Sequence, residues 1–235
     1  QQTKDFIMRN FTKVATAIAA SGLLAFSLAA CSTTSSTTST PAASASASAS
    51  ASTNGTPLAS IPALTGVDTE VTVDAGFLAA LKSLSLTPGV LGTATLSDAG
   101  VLAFPITGGN VKYFDPNESY RPYVQGSINH EGSGLSLTGG GIEVDLTNFT
   151  VDPGTSKLYG DVAANGAEVA KQAFLFDLDG STLKPLQTSG DTAILEGTTV
   201  HVSADAAALL NKTYGTTAVK EGLLVGVAKI TVNTK

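Results

Sequence analysis

Tryptophan is absent from the 235-residue chain, and cysteine and methionine occur once each. A lone cysteine closes no disulfide within the chain and cannot supply a zinc–thiolate set, so the fold must hold by core burial. Basic side chains are also few. Without Lys4, Asp5, Arg9 and Lys13, the remainder from Cys31 onward has 10 Lys+Arg against 18 Asp+Glu, about −8 with histidine neutral. No basic stripe is dense enough to follow a phosphate backbone, which argues against nucleic-acid binding. Aromatics reach only 6%, too few for the stacking platforms that sugar-binding enzymes display. No Gly-x-Ser-x-Gly elbow and no phosphate-cradling loop with a following lysine is present, and only two histidines exist to serve as a base. Together these absences point away from enzymatic activity.

The N-terminal region carries the sharpest signal. Arg9 and Lys13 precede an uncharged run, Val14 to Leu28, which leads into Leu28-Ala29-Ala30-Cys31. A positive n-region, an apolar h-region and a small-residue cleavage site are the anatomy of an export signal. The run falls short of the about 20 apolar residues of a membrane-spanning helix. Read from Met8, the signal occupies residues 8–30, and residues 1–7 are expected to be upstream sequence. Leu-Ala-Ala-Cys closely resembles the lipobox of bacterial lipoproteins. That resemblance implies cleavage before Cys31, diacylation of its sulfur and anchoring of the chain in a membrane outside the cytoplasm. Ser32, rather than Asp, follows the cysteine; this implies the outer membrane in a Gram-negative host and the outer face of the cell membrane in a Gram-positive one. With an acidic chain, attachment falls to the acyl chains rather than to lipid head groups.

Residues 32–57 are almost entirely Ser, Thr and Ala, with no large apolar side chain before the domain begins. Such a segment is expected to be a disordered tether, spanning roughly 25–30 Å as a flexible coil. The folded part is expected over residues 58–235 as one domain. Short apolar runs separated by Gly108-Gly109, Asp115-Pro116-Asn117, Gly139-Gly140-Gly141 and Asp152-Pro153-Gly154 predict a mainly β fold, an antiparallel sandwich or barrel-like meander. Strands are predicted at 70–73, 92–96, 102–106, 110–114, 124–129, 135–138, 142–146, 149–151, 157–162, 172–177, 193–196, 198–202 and 223–232.

Two short helices interrupt this pattern. Ala75–Ser83 follows Asp74 as N-cap, with Phe77, Leu78, Leu81 and Leu84 as its apolar stripe. Ala204–Tyr214 follows Ser203, turns Leu209 and Leu210 inward, and stops at Gly215. Val71-Thr72-Val73-Asp74-Ala75 parallels Val200-His201-Val202-Ser203-Ala204 at an offset of 129 residues. Two pseudo-symmetric halves are one reading of this weak repeat; chance likeness of alanine-rich helices is the other.

The densest cluster of chemistry is Tyr113, Tyr120, Arg121, Tyr123, His130 and Glu131. A tyrosinate ligates haem iron, and a nearby arginine or histidine can neutralise or hydrogen-bond that oxygen. The plain alternative leaves Tyr113 and Tyr123 as strand residues, with Arg121 paired to Glu118 or Glu131. Asp177-Leu178-Asp179-Gly180-Ser181 is read as a turn, because Thr188 stands where a calcium loop needs glutamate. His201 alternates with Val200 and Val202 and is read as a hydrogen-bonded strand residue.

The segment Ser119-Tyr120-Arg121-Pro122-Tyr123-Val124-Gln125-Gly126, followed by Val144-Asp145-Leu146-Thr147-Asn148-Phe149 and Leu158-Tyr159-Gly160-Asp161-Val162, resembles HtaA-type domains. Those are haem-binding modules of actinobacterial surface proteins. The resemblance implies haem as cofactor, Tyr123 as iron ligand, and His130 or Arg121 beside it, with Tyr113 part of the same site. About 60 folded residues precede the tyrosine segment here, and the tryptophan of that family is missing. Two readings follow: a ligand-binding lipoprotein, with haem as the ligand, or a structural lipoprotein contacting envelope proteins or cell-wall polymer. The first expects Tyr123 and His130 in one apolar pocket. They differ by seven positions, so an unbroken strand places them on opposite faces unless a turn near Asn129–His130 redirects a side chain.

Overall fold

The computed structural model describes residues 55–118 and 122–235. The export signal, Cys31, the tether as far as residue 54, and Tyr120 and Arg121 lie outside the described residues. Thirteen strands are described, beginning with β1 (Ala59–Ile61), β2 (Val67–Val73), β3 (Thr87–Gly92), β4 (Thr95–Leu96), β5 (Val101–Pro105) and β6 (Gly108–Tyr113). They continue with β7 (Val124–Gly139), β8 (Ile142–Asp152), β9 (Lys157–Ala164), β10 (Ala167–Asp179), β11 (Gln187–Ser189), β12 (Thr192–Val202) and β13 (Leu224–Asn233). Helix α1 (Ala75–Ser83) joins β2 to β3, and α2 (Ala204–Tyr214) joins β12 to β13. All pairings are antiparallel, in the order β1-β6-β7-β8-β9-β10-β12-β13-β2-β5-β4, with β3 also on β7 and β11 also on β12.

This sheet curls until its arms meet along β5–β6. The Ile106 N–H donates to the Val67 carbonyl on the β2 side, and the next N–H, of Thr107, donates to Asn129 on the β7 side. One bent run of chain therefore changes partner between consecutive residues. The mainly β, barrel-like architecture is as the sequence predicts.

Several predicted short strands are halves of longer ones. Predicted strands 124–129 and 135–138 merge into β7, 142–146 and 149–151 into β8, and 193–196 and 198–202 into β12. The register shifts where the sequence suggested a break: between His130 and Gly134, between Thr147 and Thr150, and between Glu196 and Thr198. An extra residue at a bulge flips the inward parity. In β8 the buried side chains are Val144 and Leu146 before the bulge, then Phe149 and Val151 after it. The inner face stays apolar while the alternation in sequence breaks. Strands β1 and β11, three residues each, escaped the sequence pattern, and the predicted strand 92–96 instead spans the break between the end of β3 and β4, leaving residues 87–91 unpredicted.

A polar knot ties the β7 and β8 bulges to a third in β10, where the register against β9 shifts between Ala170 and Ala173. Asn148, at φ 53°, accepts from the Gly132 N–H and donates to Asp161, both at 2.9 Å. Asp161 also accepts from the N–H of Gln172, at φ 44°, and the Gln172 amide returns to the Asn148 carbonyl, each at 2.9 Å. Beside the knot, Gly160 lies so close to the core that a Cβ there would meet Leu175 at 2.8 Å and Phe149 at 2.9 Å.

Both helices have the predicted limits and caps. Asp74 accepts from the N–H groups of Gly76 and Phe77, Ser203 accepts from that of Ala206, and Gly215 closes α2 at φ 64°. Leu81 is buried and Phe77 and Leu84 pack on the core, but Leu78 is 45% exposed, which narrows the α1 stripe. The repeat ends at the helices. After α1 the chain passes to β7 as β3, whereas after α2 it returns between β12 and β2 as β13. The exit strands take different neighbours, so the two segments do not build equivalent halves.

The hydrogen bonds hold the Asp161 carboxyl below its ordinary range, led by that from Asn148. A depressed folded-state value means this contribution is present above about pH 4 and is lost as pH falls through the folded value. Asp161→Ala is expected to lower stability by about 1–2 kcal/mol at pH 7, with a smaller deficit near pH 3, measured by urea denaturation.

Candidate functional site

The curl encloses a cavity of about 520 Å³. Its walls come from β1, β2, β5 to β10, β12 and β13, and none of the lining residues carries a formal charge. Two packed clusters bound it. The larger contains Leu102, Phe104, Phe149, Val200, Val225 and Ala228, and the smaller Leu64, Ile106, Ile128, Val151 and Val232.

Tyr113 and Tyr123 both line the cavity, their rings meeting edge to face with centroids 6.0 Å apart. Tyr113 ends β6, and Tyr123 immediately precedes β7, its carbonyl accepting from the Phe114 N–H at 2.7 Å. Pro122, Leu183, Leu186 and residues 153–156 line the same region. Burial pushes the Tyr113 phenol above its ordinary pKa, and negative charge on Tyr123 or Asp115 would push it further.

His130 lines the cavity too, 1% exposed. It lies within β7 rather than at a turn, so the redirected side chain is not the histidine. The alternation rule applies from Val124 onward, where Val124, Ile128 and His130 share the inner face. Tyr123 stands outside the strand on the incoming loop segment and escapes the rule. The two residues thus share a cavity but not a place in it. The six strand steps from Val124 to His130, at about 3.3 Å each, set the start of β7 roughly 20 Å from His130, so a direct hydrogen bond between phenol and imidazole is not expected.

What does hold His130 is Thr69, at 2.8 Å from its Nε2, and the Phe149 carbonyl, at 3.3 Å from its Nδ1. A carbonyl only accepts, so the network places the proton on Nδ1 and leaves Nε2 to accept from the Thr69 hydroxyl. Burial brings His130 from its usual value of 6.5 down to about 4, so it is neutral at physiological pH. Thr69 was not singled out from sequence. The signal was present, since Val67, Thr69, Val71 and Val73 alternate on one face and only one of them is polar.

Elsewhere the plain readings stand. His201 bonds to Thr199 at 2.9 Å and to the Gly222 carbonyl at 3.1 Å, and it is not among the cavity residues. Asp179 accepts from the Ser181 N–H at 2.8 Å and closes a turn. Among the described residues no three His, Cys, Asp or Glu side chains converge as a metal site, and no helix is long and apolar enough to cross a membrane.

No family model matches the chain, and no curated protein matches it in sequence. Among solved structures, the C-terminal domain of HtaA from Corynebacterium glutamicum aligns with a TM-score of 0.51 at 15% identity. The alignment covers 73% of this chain and 98% of that domain. The heme binding protein HtaB from Corynebacterium glutamicum aligns at 0.48 and 13% identity, over 74% and 96% of the two chains. The first likeness shows a shared fold.

Because the folded value of His130 lies below the unfolded one, the unfolded chain binds the extra proton between them, and stability rises with pH from about 4 to 6.5. The full effect is about 3 kcal/mol, present above that window and lost below it. A neutral replacement, His130→Gln, is expected to flatten this part of the pH profile relative to the parent chain, as read by denaturant melts across the window.

Proposed function

We propose that the chain is an exported lipoprotein, anchored through Cys31, whose β domain binds haem at the tyrosine end of the cavity. The observation that carries this reading is a pair of phenols, Tyr113 and Tyr123, in the wall of an uncharged cavity of about 520 Å³. That volume lies within the range of small-molecule and cofactor sites, about 300–1,000 Å³. The fold shared with the HtaA C-terminal domain adds support.

The residues present fit the group. Apolar walls suit a porphyrin face, and a phenolate oxygen suits ferric iron. Tyr123 takes the ligand role. Tyr113, whose burial favours the neutral phenol, packs against it and excludes water. Of the two candidate neighbours read from sequence, Arg121 is the one assigned to neutralise it, because His130 lies well along β7 and is already held by Thr69 and Phe149. Bound iron would supply the tyrosinate charge-transfer spectrum. The protein's part is to bind, orient and shield, and no substrate-turning step is assigned to it.

Haemin titrated into residues 55–235 is expected to give a saturable one-to-one Soret shift with a tyrosinate-type charge-transfer band. Tyr123→Phe should weaken binding by about tenfold or more and remove that band, whereas His130→Gln should leave the band in place. A spectrum indifferent to Tyr123 would return the cavity to an unknown ligand. For the anchor, metabolic labelling with palmitate should mark the parent chain and fail on Cys31→Ser. Equal labelling of both chains would remove the lipoprotein assignment.

A further inference from the structure

Thr69 and His130 form a hydrogen-bonded polar pair in a wall that carries no formal charge, and the haem reading makes no use of them. The Nδ1–H of His130 is committed to the Phe149 carbonyl, and its Nε2 lone pair to the Thr69 hydroxyl proton. What the pair still offers is the lone pairs of Thr69 Oγ1, in a residue that lines the cavity and is 6% exposed. This is an acceptor in a wall that holds no cationic donor. A ligand atom that suits it brings its own proton and carries no charge.

The shape of the space narrows the class. Lining positions run from Ala193 to Val200 along β12 and from Val225 to Val232 along β13. Seven residue steps on each strand give roughly 23 Å of length. The wall is therefore long enough to seat an extended hydrocarbon chain. Side chains along it, such as Leu195, Ile230 and Val232, are mostly hydrocarbon, with Thr198 the one lining hydroxyl on that stretch of β12. A carboxylate in this space would find no cation, and an ammonium no anion, so either would be buried unpaired.

We propose that the inner cavity binds a neutral, chain-like lipid bearing a hydroxyl group, whose O–H donates to Thr69 Oγ1 while its hydrocarbon chain lies along the inner face of β12 and β13. The contact with Thr69 does not involve Tyr123 and is tested apart from the haem reading, although both ligands would draw on the same cavity. His130 is a positioning residue. By accepting the Thr69 proton it turns that hydroxyl into an acceptor toward the ligand.

The test uses residues 55–235 loaded with Nile red, an uncharged fluorophore, and displacement by hexadecanol, hexadecane and palmitate. Hexadecanol is expected to displace the dye at concentrations about tenfold lower than hexadecane or palmitate, the size of effect one buried hydrogen bond gives. Thr69→Val should erase that preference, bringing hexadecanol to the level of hexadecane, and Thr69→Ser should keep it. Tyr123→Phe should leave all three displacement curves unchanged even where it abolishes the haemin spectrum. Equal potency of alcohol and alkane, an alcohol preference surviving Thr69→Val, or no dye uptake by the parent domain would each overturn the proposal. Should Thr69→Val fail to give a cooperative melt, Ala193→Phe at a half-buried lining position takes its place. It narrows the chain path and is expected to weaken hexadecanol by about tenfold, and unchanged affinity would overturn the proposal.

Discussion

The aligned bulges of β7, β8 and β10, held by Asn148, Asp161 and Gln172, are the constraint on which the rest of the structure depends. A long antiparallel sheet twists, but twist alone does not bring its arms together; bulges bend strands and raise the local twist. Here the extra residues sit in register across neighbouring strands, so their bends add. The left-handed backbone of Asn148 and Gln172 would be strained in isolation. Hydrogen bonds to one carboxylate, Asp161, offset that strain at both residues. Gly160 on β9 completes the corner because its missing side chain lets Leu175 and Phe149 close over it.

From the curl follows the cavity, and from the parity flips follows its chemistry. Each bulge reverses which residues face inward, and the sequence reverses with it, so no charge enters the inner wall. A sheet this wide encloses more space than its inner side chains fill. The core divides into two clusters with the opening between them. Such a space is tolerable only if it is apolar and its few polar atoms satisfy one another. Thr69 and His130 do so, from strands that are not sheet neighbours.

What was legible in the sequence divides along the same line. The helices were legible to the residue, because Asp74, Ser203 and Gly215 act within one turn of the backbone they cap. The β class was legible from turn chemistry. Strand lengths were not, since a bulge interrupts alternation just as a turn does, and only long-range pairing tells the two apart. The same ambiguity misplaced His130, which seemed to sit at a turn because Glu131 and Gly132 follow it. Thr69 was hidden for a different reason. A single threonine among valines is ordinary in a strand, and its meaning comes from a histidine 61 positions away.

Proximity in sequence also proves a poor guide to shared work. Tyr123 and His130 fall in one short motif, yet a strand spends that separation on distance, whereas a helix would have folded it into two turns. Residues far apart in sequence meet instead: Tyr113 reaches Tyr123 from the neighbouring strand, and Thr69 reaches His130 across the curl. Two phenols in contact cannot both ionise without repulsion, and Tyr113 has burial and Asp115 against its charged form. In the proposed haem reading, that reluctance is what would give the ligand role to Tyr123. The far end of the cavity, neutral and accepting, is left to a different chemistry.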